Sequence, residues 1–362
     1  MSDRPPSEPP SPDTTSVARP LVLGIVMFAA TLILLFGLSD VISRRSAPSA
    51  TAAHTPASTP VTTAVGTSAS PGSSASAPGA SPTAVPGSGA GSPSPSPTAG
   101  DPVLVGAGDI ADCRYQGDVA TAGLLDGIDG TVFTAGDNTG PDGSSTVFKD
   151  CYGPTWGRHA RRTRPAPGDL DWGTAHLAGY LGFFPMASTD GQPWYAYDLG
   201  TWHVIVLDSD CGKVGGCGPD SAQGRWLAAD LAASKASCTV AIWHHPRFSS
   251  GTNGDTAAIA PFWDALYTAG ADVVINAHDP DYERFAPQDP AGHIDRARGL
   301  REFVVGTGGT PLGSFQTPRP NSELRVSLAH GVLKLVLHKG SYDWTFVPTE
   351  PLFEDHGTAA CH

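Results

Sequence analysis

The stretch TVFTAGDN, residues 131–138, sets the fold class: a short β-forming run ends abruptly in Gly136, Asp137 and Asn138. Such a run reads as a buried strand emptying into a loop. The same reading holds at Val103–Ala107 before Gly108-Asp109, at Thr239–Trp243 before His244-His245, and at Val273–Ile275 before Asn276-Ala277-His278. Helix-like segments lie between these strands at Val119–Leu125, Ser221–Ala233 and Ala257–Ala269, the last stopped by Gly270. The alternation predicts an α/β layered fold, in which ligands gather at the carboxyl ends of strands. Asp109, Asp137, His244 and His278 are all expected there. Trp194–Leu199 with Trp202–Leu207, and Leu333–Leu337 with Trp344–Val347, read as hairpins, which implies a mixed sheet or two packed sheets.

Outward from this core the composition changes sharply. Leu21–Leu38 carries no charge and reaches roughly 27 Å as a helix, close to a bilayer core. We read residues 20–39 as an uncleaved transmembrane anchor preceded by a short tail, residues 1–19. The alternative, a signal peptide, has an h-region of only about 7–15 residues, and the nearest small-residue cleavage site here, Ala50-Thr51-Ala52, lies well downstream. Residues 40–100 read as a linker. From Ser46 to Gly100 it is built of Ala, Ser, Thr, Pro and Gly without one Lys, Arg, Asp or Glu. Such a segment buries too little apolar surface to repay its ordering entropy, and is expected to be a disordered tether. Residues 101–362 hold the mixed composition of a single folded domain.

Arg4 and Arg19 on one side of the apolar run are matched by Arg44 and Arg45 on the other, so basic residues do not orient it. Cysteine does. Cys113, Cys151, Cys211, Cys217, Cys238 and Cys361 all follow the run, and an even set on one side suits disulfides in an oxidising compartment. The domain is therefore expected outside the cell membrane. Cys211 and Cys217 flank a glycine-rich loop that can bring them together, which leaves Cys113–Cys151 and Cys238–Cys361. The net charge of −13 argues against nucleic-acid binding. The basic run Arg158–Arg164 is the local exception, either a solvated loop or a contact for substrate phosphate.

Asp and His at successive strand ends supply the N and O donors that hold a divalent or trivalent metal without thiolate. In their order and context these residues resemble the calcineurin-like metallophosphoesterases, in particular the purple-acid-phosphatase-like and secreted alkaline-phosphatase-like branch. The resemblance rests on Gly108-Asp109, Gly136-Asp137-Asn138, Gly168-Asp169-Leu170-Asp171, His244-His245-Pro246 and Ala277-His278-Asp279-Pro280-Asp281-Tyr282-Glu283-Arg284. It implies a layered α/β/β/α sandwich with mixed sheets and hydrolysis of a phosphoester substrate. It also implies metal ligands Asp109, Asp137, Asp169, His244 and His278, with Asp137 bridging and Asp137 and Asp169 at the reacting centre. The expected cofactor is Fe, Zn or Mn.

The same resemblance marks three departures. Leu170 stands where the family has a His that contacts substrate phosphate, Pro280 where it has a ligand of the first metal, and Gly140 where purple acid phosphatases have a tyrosine ligand. The expected site is lopsided: one metal held firmly by Asp137, Asp169, His244 and His278, and a second position weak or empty. Asp281 and Asp112 are the residues placed to compensate, and His245 is read as a supporting residue. A catalytically silent binding or envelope-structural module on the same fold is the alternative to an enzyme.

Overall fold

The computed structural model describes residues 100–188 and 190–362. The predicted anchor at 20–39 and nearly all of the predicted linker lie outside the described residues. Among the described residues no helix is long and apolar enough to cross a membrane.

Two sheets pack face to face. The first runs, in spatial order, β15 (Asp355–Ala360), β14 (Ser341–Pro348), β13 (Gly331–His338), β1 (Val103–Ala107), β3 (Thr131–Ala135) and β5 (Thr163–Ala166). The second runs β12 (Ser322–Val326), β10 (Tyr282–Phe285), β11 (Arg301–Val305), β9 (Val273–Asn276), β8 (Cys238–Ile242), β7 (Trp202–Val206) and β6 (Tyr195–Leu199). Within each, a parallel core (β1, β3, β5; β7, β8, β9, β11) meets antiparallel strands, so both sheets are mixed. Both predicted hairpins form, Leu199 pairing with Trp202 and His338 with Ser341.

Side-chain alternation explains why β7, β8 and β9 at the centre of the second sheet are largely apolar on both faces. Val204, Val206, Val240, Ile242, Val273 and Ile275 point into the core shared with Leu104, Phe133, Leu333 and Leu335 of the first sheet. The intervening Ile205, Ala241 and Val274 face Leu227, Phe262, Trp263 and Leu266 on the opposite side. Those four belong to helices α3 (Ala222–Ala233) and α4 (Ala260–Ala269). The first sheet is covered in turn by α1 (Gly117–Asp126) and α2 (Ala178–Phe183), through Ala122, Leu125 and Tyr180. The order of layers is helix, sheet, sheet, helix, as expected.

Local chemistry sets the helix ends. Ser221 caps α3, its hydroxyl accepting from the N–H of Gly224 at 2.9 Å. Gly270 stops α4 with φ of 77°, a left-handed conformation that glycine takes without a Cβ penalty. The basic run Arg158–Arg164 is structural: Arg158 pairs with Asp126, and Arg162 donates to the carbonyls of Leu125, Ile128 and Gly130 just past α1. Those bonds satisfy carbonyls left over at a helix end, so these two side chains are occupied away from any phosphate. All three expected disulfides are present, Cys113–Cys151, Cys211–Cys217 and Cys238–Cys361, with Cα separations of 5.1, 5.1 and 5.7 Å.

Candidate metal centre

Parallel strands of both sheets end on one edge, and five of those ends, after β1, β3, β5, β8 and β9, each deliver one side chain. Asp109 follows β1, Asp137 follows β3, Asp169 follows β5, His244 follows β8 and His278 follows β9. Three of these turns are strained. Asp109, Asp137 and His278 have φ of 54°, 48° and 67°, a region in which a non-glycine residue costs roughly 1–3 kcal/mol and which concentrates at functional sites. Backbone bonds hold the strain: Asp109 N–H to Gly136 O at 3.1 Å, Ile110 N–H to Asp137 O at 2.9 Å, and Ala277 N–H to His244 O at 2.9 Å. Gly136 is required here, because a Cβ on it would stand 2.5 Å from Nδ1 of His244.

His244 is the hub. It is fully buried, and its Nδ1 lies 2.9 Å from the carbonyl of Ala135, an acceptor that fixes the proton on Nδ1. Nε2 then faces Asp169 Oδ1 at 3.1 Å, His278 Nδ1 at 3.2 Å and Asp137 Oδ1 at 3.4 Å. Asp169 Oδ1 is also 3.2 Å from His278 Nδ1. Two imidazole nitrogens and a carboxylate oxygen converging at such distances form a cluster that one cation would satisfy. A second converging group, Asp109, Asp137 and His244, shares His244 with the first. Oδ2 of Asp109 is buried without a hydrogen-bond partner, as an oxygen awaiting a cation would be. The residues present fit a metal on both counts, more completely on the Asp169 side.

The electrostatics follow from burial against mutual charge. Burial pushes the Asp109 carboxyl up to about 7, with the His244 charge opposing and the Asp137 charge adding to it. Burial acts in the same sense on Asp169, but hydrogen bonds from His244 and His278 override it and hold that carboxyl well below the usual range. On His244 burial is outweighed by Asp137 and Asp169, and the imidazole is pushed up. His245 is driven down to about 3 by burial and by the charges of His244 and His278. Its Nδ1 pairs with Ser209 Oγ at 2.8 Å and its Nε2 stays 3.8 Å from Asp169 Oδ1. It is a supporting residue, as expected.

Neither residue placed to compensate joins the donor clusters. The Asp112 carboxylate is taken by Arg114, whose Nε lies at 2.9 and 3.1 Å from its two oxygens. Asp281 is fully buried with both oxygens unpartnered and is pushed up to about 9 by burial and by Asp279, Glu283 and Asp109. Among the described residues, the converging groups contain neither of them. Leu170 occupies the first-metal side, its Cδ1 and Asp112 Oδ2 each 3.4 Å from where a Gly140 Cβ would stand.

Sequence reasoning missed the residues that aim the ligands. Asp171 is fully buried and accepts from Asn138 N–H at 3.1 Å, Asn138 Nδ2 at 2.9 Å and Gly168 N–H at 2.9 Å, tying the Asp137 loop to the Asp169 loop. Asp279 accepts the N–H groups of Asn253 and Gly254 at 2.7 and 3.1 Å, fixing the loop beside His278. Each sits within a motif already singled out, so an acidic residue next to a ligand was the available signal.

Two packed mixed sheets with Asp and His at their common edge have the calcineurin-like metallophosphoesterase fold. No family model and no curated protein sequence matches the chain. Solved structures do. The purple acid phosphatase isolated from yellow lupin (Lupinus luteus) seeds is similar at 15% identity and a TM-score of 0.58, over 72% of this chain and 54% of that one. The chain thus spans about half the length of the lupin protein. GAP50, the anchor in the inner membrane complex of Plasmodium, is similar at 15% identity and a TM-score of 0.56, over 72% and 89%. A dimetal phosphatase from Danio rerio is similar at 12% identity and a TM-score of 0.51, over 72% and 99%. At these identities the likeness is one of fold.

Proposed function

We propose that the chain is a metal-dependent phosphoester hydrolase with one firmly held metal, carried outside the cell membrane on the predicted anchor and linker. The observation that carries this reading is the convergence of Asp169, His244 and His278 at 3.1–3.2 Å about His244 Nε2, the ring being aimed by the Ala135 carbonyl. Asp137 is the fourth donor, its Oδ1 held by the N–H of Leu170 at 2.9 Å. The donor set of imidazole and carboxylate suits Zn, Fe or Mn. When bound, such an ion polarises a phosphoryl oxygen and lowers the pKa of a water. The chain's own residues do the rest. Asp169, with its side chain 40% exposed, presents an acceptor at the mouth of the site, where it can hold a water for attack on phosphorus. His278, 23% exposed, lines the same mouth, while the buried His244 and Asp109 exclude solvent behind it. Leu170 supplies neither a proton nor a hydrogen bond to the leaving oxygen, so the proposed hydrolysis is slow.

A silent module is the second reading, favoured by the loss of side-chain donors at Gly140, Pro280 and Leu170. The test is elemental analysis of the full-length protein together with hydrolysis of chromogenic mono- and diesters across pH. One equivalent of metal with slow, chelator-sensitive hydrolysis supports the enzyme. Metal-free protein that hydrolyses nothing after reloading with Zn, Mn or Fe supports the module.

A further inference from the structure

A polar cavity of about 400 Å³ lies beside the metal centre, between the loop Ser249–Asp255 and the segment Gln316–Arg319. Its wall begins at the centre itself: Asn253 lines the cavity and its Nδ2 donates to the backbone carbonyl of His278 at 2.6 Å. We propose that this cavity binds the part of the substrate beyond the reacting phosphorus, a hydroxylated, sugar-like group ending in a second anion.

Three observations point to that chemistry. The lining is hydroxyl, amide and backbone, from Ser249, Thr252, Asn253, Gln316 and Thr317, together with the ion-paired Asp255 and Arg319, and has no large apolar side chain. A lining of this kind offers hydrogen bonds to sugar hydroxyls and gives little to an aryl or acyl group. Arg319 supplies the cation. Its Nε is held by Asp255 Oδ1 at 3.0 Å and by the Ser249 carbonyl at 3.2 Å, which restrains the guanidinium in the cavity wall, and a guanidinium has further N–H donors with which to take an anion.

The third observation is that the cavity is built before any ligand arrives. Ser249 and Ser250 are buried, and their hydroxyls donate to the buried carboxylates of Asp279 and Glu283, at 2.5 and 2.6 Å. The opposite wall is zipped to this loop by Gln316 N–H to Ser250 O at 2.9 Å, Arg319 N–H to Ser250 Oγ at 2.8 Å and Thr252 Oγ1 to Ser314 O at 2.9 Å. Walls fixed in this way lose little entropy on binding.

The inference rests on the phosphoester reading of the metal centre, and a binding measurement separates the two. Calorimetric titration of the full-length protein with fructose 1,6-bisphosphate and with glucose 6-phosphate is compared between the parent and Arg319→Gln. The expected result is that Arg319→Gln weakens the bisphosphate by roughly 10-fold, the scale of one charge-assisted contact, and leaves the monophosphate unchanged. In parallel, the bisphosphate should inhibit hydrolysis of p-nitrophenyl phosphate competitively in the parent and roughly 10-fold more weakly in Arg319→Gln. Equal binding of the bisphosphate by parent and variant would overturn the cavity's role even where hydrolysis is observed. Arg319-dependent binding without hydrolysis of any ester would keep the cavity and remove the enzyme.

Discussion

The two sheets contribute unequally to one site. The first sheet, through β1, β3 and β5, delivers the carboxylates Asp109, Asp137 and Asp169, and beside them stand Gly140 and Leu170, whose side chains offer no ligand atom. The second sheet, through β8 and β9, delivers His244, its Nδ1 anchored on the Ala135 carbonyl, and His278, at a positive φ. One half is therefore a complete donor set needing only Asp137 and Asp169 from across the interface. The other is a pair of carboxylates with an orphaned oxygen and no imidazole of its own. The difference teaches that the two donor groups are built unequally yet are not independent, because His244 belongs to both.

The largest effect is expected where the complete half is broken. His278→Ala should take metal content from about one equivalent to near none, read by elemental analysis, because one of the two imidazoles on which a Zn-, Fe- or Mn-type site depends is lost. Retention of the ion would show that the carboxylate half holds it, reversing the comparison. The converse experiment fills the deficient half. Leu170→His together with Pro280→His should raise metal content toward two and speed hydrolysis, whereas Leu170→His alone should raise rate by about 10²–10⁴-fold with metal content unchanged, since its gain is a proton donor. A single change that raised stoichiometry would mean that Leu170 occupies a ligand position.

Much of this was legible in the sequence because strands end where apolar runs end. The carboxyl ends of β1, β3, β8 and β9 could be read from Gly108-Asp109, Gly136-Asp137, His244-His245 and Ala277-His278, and the disulfides from an even set of cysteines and one glycine-rich loop. What could not be read is who holds whom across the interface. Asp171 joins two loops 33 residues apart, and His244 reaches Ala135 over a separation of 109. Such pairings are tertiary and leave no periodic trace. The basic run at 158–164 misleads for the same reason: its charge is visible, but the helix-end carbonyls that absorb Arg162 are not.

The halves are stapled as well as packed. Cys238 lies at the start of β8 in the second sheet and Cys361 just beyond β15 in the first, 123 residues apart, whereas Cys211 and Cys217 close a loop of separation 6. By the loop-entropy estimate the long staple is worth about 5 kcal/mol and the short one about 2 kcal/mol. Replacing Cys238 and Cys361 by serine should therefore lower the denaturant midpoint more than replacing Cys211 and Cys217, and should also lower metal content, because donors from both sheets must meet. A loss of stability with metal content intact would show that the edge is held by the His244–Ala135 bond and its neighbours rather than by the staple.

The smallest expected effect separates the second sheet's stability from its chemistry. His203 on β7 lies far from the ligand groups in its bonding: Nδ1 pairs with Asp198 at 2.9 Å and Nε2 with Asp230 of α3 at 2.7 Å. The bond to Asp230 raises its pKa, against burial, with Asp198 adding to the rise. A histidine whose folded pKa lies above its unfolded value contributes stability that is full below about 6.5 and is lost as pH rises through the folded value. Melting temperature should thus fall between pH 6 and pH 9 by on the order of 2 °C more in the parent than in His203→Asn, which cannot lose a proton over that range. Metal content should be the same in both. An identical pH slope in parent and variant would mean that the Asp198–His203–Asp230 clamp is as strong with a neutral imidazole, and a change in metal content would mean that β7 reaches the site through β8 and that the two halves are less separable than their donor sets suggest.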